Sequence, residues 1–478
     1  MTLRFSIRGF EFFTRQTRTR FPFRYGIASM TEVPHLFVRV RIAVNGSESV
    51  GLASEGLPPK WFTKNPATTF DQDLPEMLQA IGPAAQLATQ IARESVSFFE
   101  LWRELYRGQK TWAQVHGVAP LLANLGVSLV ERAVLDALCR ALRQPLHGLL
   151  QENLLSLRLG EIYPELGQAE PRDLLPVQPL ASALVRHTVG LADPLTPAEI
   201  RDDERVDDGL PHDLESCIRA HDLRAFKIKL SGHPGHDLPR LRQLNKIIQR
   251  QNANRCIVTL DGNENFKNFA TFHEFWRELT NDPALAAFAA NVAVIEQPVH
   301  RDHALDEDLG TALRDWQDQP LLIIDESDGA LGDLEQALTL GYAGTSHKNC
   351  KGIVKGIAHA CLLEHRRRQG QRLMLTAEDL CNLGPVALLQ DLAMVGLLGI
   401  PHVERNGHHY FRGLSMWPDD WQEAVLAAHR DLYIRHLQGF ACVQIRDGSL
   451  NLSTVNTAPF GLQPLFDPSG FEKVLTKT

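Results

Sequence analysis

Paired cysteine is the first thing this chain is short of. Its seven cysteines, at positions 139, 217, 256, 350, 361, 381 and 442, are scattered, odd in number and never spaced as Cys-x-x-Cys. They read as the reduced core or surface thiols of a cytoplasmic protein, not as a disulfide frame or a zinc site. Positive charge is also lacking: Lys and Arg number 49 against 57 Asp and Glu, a net charge of −8. Nothing in that balance draws nucleic acid or an anionic membrane as partner. The Arg-rich run 15–24 is broken by Thr and aromatics and reads as strand and loop. No apolar run approaches a membrane span, and Met1-Thr2-Leu3-Arg4 opens no apolar leader, so a soluble cytosolic protein is expected. What is present is core: 44% of 478 residues are hydrophobic, enough for two or three domains, with no internal repeat.

In order, Phe5 to Phe13 and His35 to Val44 read as antiparallel strands, the second ending at the turn pair Asn45-Gly46. Between them, Phe21-Pro22-Phe23-Arg24-Tyr25-Gly26 reads as a loop carrying an arginine. From about Asp73 to Leu150 the pattern is helical. Ser128-Leu129-Val130-Glu131 has capping-box spacing and predicts a helix start there, with Pro145 stopping the helix and Asp136 inside it as a structural carboxylate. The segment 151–181 holds four prolines and reads as the loop-rich passage between domains. Beyond it, eight short apolar strands alternate with helices, beginning near Leu184, Ala225, Cys256, Val292, Leu321, Gly344, Arg372 and His402. An α/β barrel fits this better than a doubly wound sheet, because each candidate functional residue falls at the C-terminal end of a different strand. A helix from Trp421 to Gln438, then two strands around Asp447-Gly448, should return the tail to the N-terminal sheet. The expected division is 1–150, 182–416 and 417–478.

The chemistry gathers at strand ends. Lys227 and Lys229 project from one face of the strand Phe226 to Leu230. Mutual repulsion, a nearby cation and partial burial would favour the neutral amine a general base needs. Asp261, Glu296 and Asp325 end the next three strands and could converge on one hard cation, with water completing an octahedron as Mg²⁺ prefers. Glu326 follows Asp325, and only one of the two can face the barrel axis. The sixth strand ends in Ser346-His347-Lys348, with His347 expected to be packed.

Together these residues resemble the enolase superfamily, in its muconate-lactonizing branch, over nearly the whole chain. Pro22 to Gly26 is similar to that family's specificity loop, and Ala133 to Leu150 to its capping-domain helix. Phe226 to Leu230 resembles the Lys-x-Lys strand; Asp261-Gly262-Asn263, Glu296-Gln297-Pro298 and Asp325-Glu326-Ser327 resemble the three ligand motifs; and Ser346-His347-Lys348 with Lys351-Gly352-Ile353 resembles the sixth-strand motif. The resemblance implies a modified TIM barrel, (β/α)7β, capped by an α+β domain formed by the N-terminal segment and the tail. It implies one Mg²⁺ and abstraction of a proton α to the carboxylate of a small substrate through an enediolate. The metal and Lys227 would stabilise that enediolate, and Lys229 and Lys348 would flank the α-carbon.

The chain also departs from the pattern. Asn349-Cys350-Lys351-Gly352 stands where the family commonly has paired glycine, and the insertions 151–181 and 193–215 are long. Leu375-Thr376-Ala377-Glu378 resembles the seventh-strand carboxylate motif. Glu404 and Asn406 share a face at the eighth strand and half resemble the Asp-x-Asp with which dipeptide epimerases of the branch hold a substrate ammonium. Arg24, Glu378 and Glu404 are therefore the substrate-binding candidates, while His408-His409 reads as loop or anion site. Racemisation or epimerisation is the leading expectation; dehydration, cycloisomerisation and a non-catalytic metabolite-binding barrel stay open, as does a homo-oligomer.

Overall fold

The computed structural model describes residues 3–25, 28–251, 256–316, 320–378 and 383–474; Gly26 and Cys381 lie outside them. Alternating apolar and polar residues build a three-stranded antiparallel meander from β1 (Phe5–Tyr25), β2 (Ala28–Val44) and β3 (Ser47–Gly56). The β2–β3 turn is the expected Asn45-Gly46, both at positive φ (52° and 78°). The loop expected at 21–26 is strand over its described part, and Arg24 pairs with Ser29. Thr19, Phe21 and Phe23 are all buried and keep the period of two, while Pro22 is absorbed where the register shifts between Arg18 and Phe23.

Helices α1 (Pro59–Phe62), α2 (Phe70–Ile91), α3 (Phe98–His116) and α4 (Pro120–Leu142) complete the cap. The start expected at Ser128 is wrong: α4 begins two turns earlier with Pro120 at its first position, so Ser128 and Glu131 are interior. Their polar groups serve another helix. The Ser128 hydroxyl donates to the Asn349 carbonyl, and Glu131 accepts from the Ile353 and Val354 N–H groups (2.6 and 3.3 Å), capping the helix Ile353–Arg368 across the domain boundary. Asp136 is structural, accepting from Leu52 N–H and Arg140, each at 2.9 Å.

Burial raises the Glu131 carboxyl from 4.5 to about 7, partly offset by those two N–H donors. The folded protein therefore takes up a proton the unfolded chain has already lost, and this group's contribution falls as pH rises from 4.5 to 7. Glu131→Gln should flatten that part of a Tm-versus-pH profile. Glu131→Ala, which leaves both N–H groups uncapped, should cost about 1–2 kcal/mol in urea unfolding.

Eight parallel strands form the barrel: β4 (Ser182–Val189), β5 (Ala225–Lys229), β6 (Ile257–Asp261), β7 (Val292–Glu296), β8 (Leu321–Ile323), β9 (Gly344–His347), β10 (Met374–Ala377) and β11 (His402–Arg405). The order β8-β7-β6-β5-β4-β11-β10-β9 closes through the bridge between Ile324 and Thr345. The capped α/β barrel expected from the sequence is the observed architecture. The segment 151–181 is less bare than expected, carrying the short helices Leu159–Ile162 and Pro171–Leu174.

In the tail, the helix expected from Trp421 to Gln438 stops at Ala428. The hairpin β12 (Tyr433–Arg435) and β13 (Ala441–Val443) takes over, turning through Gly439 at φ 92°. Next, β14 (Ser449–Asn451) adds antiparallel to β4, and β15 (Glu472–Lys473) returns to pair with β1. No described helix is long and apolar enough to cross a membrane.

Candidate active site

Barrel strands deliver alternate residues to the axis, and this alternation assembles the site. On β4, Arg186 and Thr188 point inward to Glu378 (3.1 Å) and Glu404 (2.5 Å). On β5, Lys227 and Lys229 do the same. Lys227, 1% exposed, is ringed by carboxylate oxygens of Glu378 (2.5 Å), Glu296 (2.8 Å), Asp261 (3.0 Å) and Glu404 (3.0 Å). Lys229 binds the Asp261 oxygen that Lys227 also shares. Lys348, at the end of β9, donates to both oxygens of Asp325 (2.8 and 2.7 Å) and to Glu378. Thus the three lysines and the carboxylates of Asp261, Glu296, Asp325, Glu378 and Glu404 form one connected cluster, buried except for the partly exposed Lys229.

Among the protein groups alone, the acids set the charge of the lysines. Burial opposes charge on Lys227 and Lys348, but the surrounding carboxylates outweigh it and hold both well above the ordinary lysine value. For Lys229 burial and Lys227 lower the value while Asp261 raises it, and the net shift is upward. Repulsion between lysines is real and smaller than the attraction from the acids.

The carboxylates divide by partner. Asp325 meets Lys348, Lys351 (2.9 Å) and the Ser346 hydroxyl; burial resists its charge, and the two ammonium groups pull it far below the carboxylate range. Glu326 faces the other way, accepting from Asn263 Nδ2 (2.8 Å), and burial with neighbouring Asp325 raises it to about 7. Asp325 is therefore the one of the pair that reaches the lysines. Glu296, like Glu326, has one unsatisfied buried oxygen. Burial and the Glu378 charge push it well above its ordinary value, and its buried Oε2 has no hydrogen-bond partner among the described residues.

Oxygen atoms of Glu296, Asp325 and Glu378 all lie within 4.8 Å of one another. An all-carboxylate set with an orphaned buried oxygen fits a hard, oxygen-seeking cation such as Mg²⁺. Asp261, expected in that set, is instead engaged by Lys227, Lys229 and the Asn263 N–H (2.7 Å), and Glu378 stands in the converging triple.

Arg24 lies outside the cluster. It pairs with Glu204 of the insertion 193–215 at 2.6 Å, with its side chain about one-third exposed (35%). The buried arginine of that strand is Arg20, which holds Asp208 and the carbonyls of Leu210, Pro211 and His409. His347 is packed, bonded to Asn349 Oδ1 at 3.0 Å.

Several participants were missed from the sequence. Arg186 could have been found as a charge sharing a face with Thr188 inside an apolar strand. Trp61 could not: it comes from the cap, its ring lies 4.9 Å from the Lys348 ammonium, and it is 7% exposed. The segment bearing it is pinned to the barrel rim. Arg301 donates to the Trp61 and Phe62 carbonyls and to Glu264, and Lys64 binds Glu264 (2.8 Å) and the Asn263 carbonyl (2.5 Å).

No protein-family model matches the chain, and no curated protein matches it in sequence. Solved structures do match its fold. A mandelate racemase/muconate lactonizing protein from Herpetosiphon aurantiacus aligns with TM-score 0.57 at 15% identity, covering 95% of this chain and 98% of its own. Muconate lactonizing enzyme from Pseudomonas fluorescens, complexed with muconolactone, gives 0.56 at 15%, with 96% of each chain covered. A dipeptide epimerase from Methylococcus capsulatus, complexed with Mg and the dipeptide L-Arg-D-Lys, gives 0.53 at 18%, covering 93% and 99%. The protein shares their capped-barrel fold from end to end.

Proposed function

We propose that the protein is a Mg²⁺-dependent enzyme of the enolase superfamily that removes the proton α to the carboxylate of a small substrate, and that it racemises or epimerises that carbon. The observation that carries this reading is the placement of two lysines. In the closed order of strands, β5, which carries Lys229, and β9, which precedes Lys348, are four steps apart in either direction. The two ammonium groups thus enter the barrel mouth from opposite walls, with Lys227 and the carboxylates between them. A carbon held between such walls presents one face to each lysine, which is the requirement for taking a proton from one side and returning it on the other.

Glu296 and Asp325 are assigned as metal ligands, with Asp261 as the third. Glu378 is the less available oxygen donor, because Lys227, Lys348 and the permanently charged Arg186 all hold it. Bound there, Mg²⁺ supplies a Lewis acid for the substrate carboxylate. Lys227 is placed to meet the negative charge that grows on that carboxylate as the proton leaves. Glu404, on the same wall as Thr188, is assigned to a polar or cationic group of the substrate, and Arg24 to its distal end once freed from Glu204. The cytoplasm is the proposed compartment, in keeping with free thiols at all six described cysteines. The Mg²⁺-bound epimerase and muconolactone-bound enzyme among the structural neighbours support the reaction class while leaving lyase and cycloisomerase chemistry as the second reading.

The test is solvent exchange. Amino acids, dipeptides and sugar acids incubated with the enzyme and Mg²⁺ in deuterium oxide should include at least one that gains α-deuterium by proton NMR. A panel without exchange removes the proposal, and exchange accompanied by loss of water or ring closure moves it to the second reading. Trp61→Ala should lower kcat/KM on the substrate so found by roughly 3- to 30-fold, the worth of a desolvated cation–π contact.

A further inference from the structure

A second cluster of titratable groups lies outside the barrel axis and has no part in this chemistry. Because Arg186 and Thr188 face inward, His187 between them faces outward, toward the helix Leu214–His221 and the short helix Gly407–Tyr410 that follows β11. There it meets Cys217 and His409, all three buried, with one ligand-capable atom of each within 4.8 Å of the others. Cys217 Sγ is 3.5 Å from His409 Nδ1, and His187 Nδ1 is 3.2 Å from His408 Nε2. We infer that His187, Cys217 and His409 form a binding site for a borderline divalent cation of the zinc type, separate from the carboxylate site and independent of the reaction proposed for it.

The donor set decides the class of ion. Two imidazoles and a thiol suit Zn²⁺ and exclude Mg²⁺, which takes oxygen. Bonds of about 2.0–2.1 Å to nitrogen and about 2.3 Å to sulfur, set tetrahedrally, place a nitrogen and a sulfur ligand roughly 3.6 Å apart. The Cys217–His409 separation of 3.5 Å already has that value. His408 supplies the outer support such sites use: its contact with His187 Nδ1 leaves His187 Nε2 for the ion. Once it accepts that hydrogen bond, its own buried Nδ1 has no partner among the described residues.

Asp213, which caps the helix bearing Cys217, and Asp193 both act on the Cys217 thiol, opposed by Arg20. His221 and His408 form part of the wall of a cavity of about 350 Å³ between the barrel and the β12–β13 hairpin. The sequence shows no zinc motif because the ligands are 30 and 192 residues apart and come together only when β11 pairs with β4, aligning Arg405 with His187. An ion there would tie the seam of the barrel to the cap, since Arg20 of β1 holds the His409 carbonyl at 2.6 Å and Phe21 packs 4.9 Å from its ring.

Metal analysis and cobalt spectroscopy on the full-length protein test this. Dialysed against Zn²⁺ and then buffer, the wild type should retain about one zinc per chain. Loaded with Co²⁺ it should show a thiolate-to-metal charge-transfer band, which carboxylate ligands cannot give. Cys217→Ser and His409→Gln should each lose that zinc, the first abolishing the band and the second weakening it, whereas Glu296→Gln should keep both, so this site and the carboxylate site fail separately. Wild-type protein that binds Co²⁺ without a thiolate band, or a band unchanged in the folded member of the Cys217 and His409 pair, overturns the inference.

Discussion

Glu296→Gln is expected to abolish turnover while leaving the protein as thermally stable as the wild type or more so. The two halves of this result have one cause. Glu296 is buried, its Oε2 is unpartnered among the described residues, and burial with the adjacent Glu378 charge keeps it reluctant to ionise. Maintaining an anion there disfavours the fold, and a neutral amide of the same shape relieves it. The same substitution removes a charged oxygen from the set assigned to Mg²⁺ and one of the four anions around Lys227. Loss of such preorganised electrostatic support should lower kcat by about 10³-fold or more.

Thermal melts with and without Mg²⁺ give the second readout. Added Mg²⁺ should raise Tm for the wild type and leave Glu296→Gln unmoved, because an ion stabilises only the state that binds it. An equal Mg²⁺ shift in both proteins would take Glu296 out of the ligand set. Asp261→Asn and Glu378→Gln, compared in the same way, identify the third ligand: the assignment to Asp261 requires that its variant lose more of the Mg²⁺ shift.

Why some of this could be read in advance and some could not follows from how each residue reaches the site. Lys227, Lys229, Asp261, Glu296 and Asp325 are placed by strands, whose period of two and short apolar runs are local features of sequence. The same logic tells Asp325 from Glu326 only once the strand's face is known, which the Asn263 and Lys348 contacts decide. Trp61 and the Glu264–Arg301–Lys64 clamp depend on the cap docking against the rim, and Glu131 on which helix start lies beside α4. Spacing along the chain carries no trace of such contacts. The capping-box spacing at Ser128 misled for a related reason: Glu131 is a cap by chemistry, but the N–H groups it accepts from belong to the other domain, and the Ser128 hydroxyl donates to a carbonyl there.

Repulsion within Lys-x-Lys is visible in sequence, whereas the ring of acids that opposes it is assembled by four other strands. That ring also sets the terms of the mechanism. In this arrangement Asp261 and Asp325 each hold a lysine by its ammonium, so the oxygens assigned to the metal are the same oxygens that keep Lys229 and Lys348 charged. On the proposed assignment, a cation that drew those oxygens away would lower the proton affinity of the two lysines and so tie their readiness to act as base to assembly of the complete site.

From that coupling and from the opposed positions of β5 and β9 follows the sharpest expectation for the reaction itself. Lys348→Ala should abolish racemisation by about 10²–10⁴-fold, the usual worth of a positioned general base, while Lys229 continues to exchange the proton on its own face. Lys229→Ala should do the reverse. On the proposed reaction neither lysine can stand in for the other, because the reacting carbon would lie between them and each ammonium is anchored to its own aspartate, Lys229 to Asp261 and Lys348 to Asp325. In deuterium oxide each variant should label one enantiomer of the substrate and leave the other untouched, an asymmetry that a general folding defect does not produce. Circular dichroism and the Mg²⁺ shift in Tm serve as controls, since both variants retain Glu296 and Asp325. Full activity of Lys348→Ala on every substrate found would mean that one base suffices, and the enzyme would then be a lyase or cycloisomerase in which Lys348 only stabilises charge.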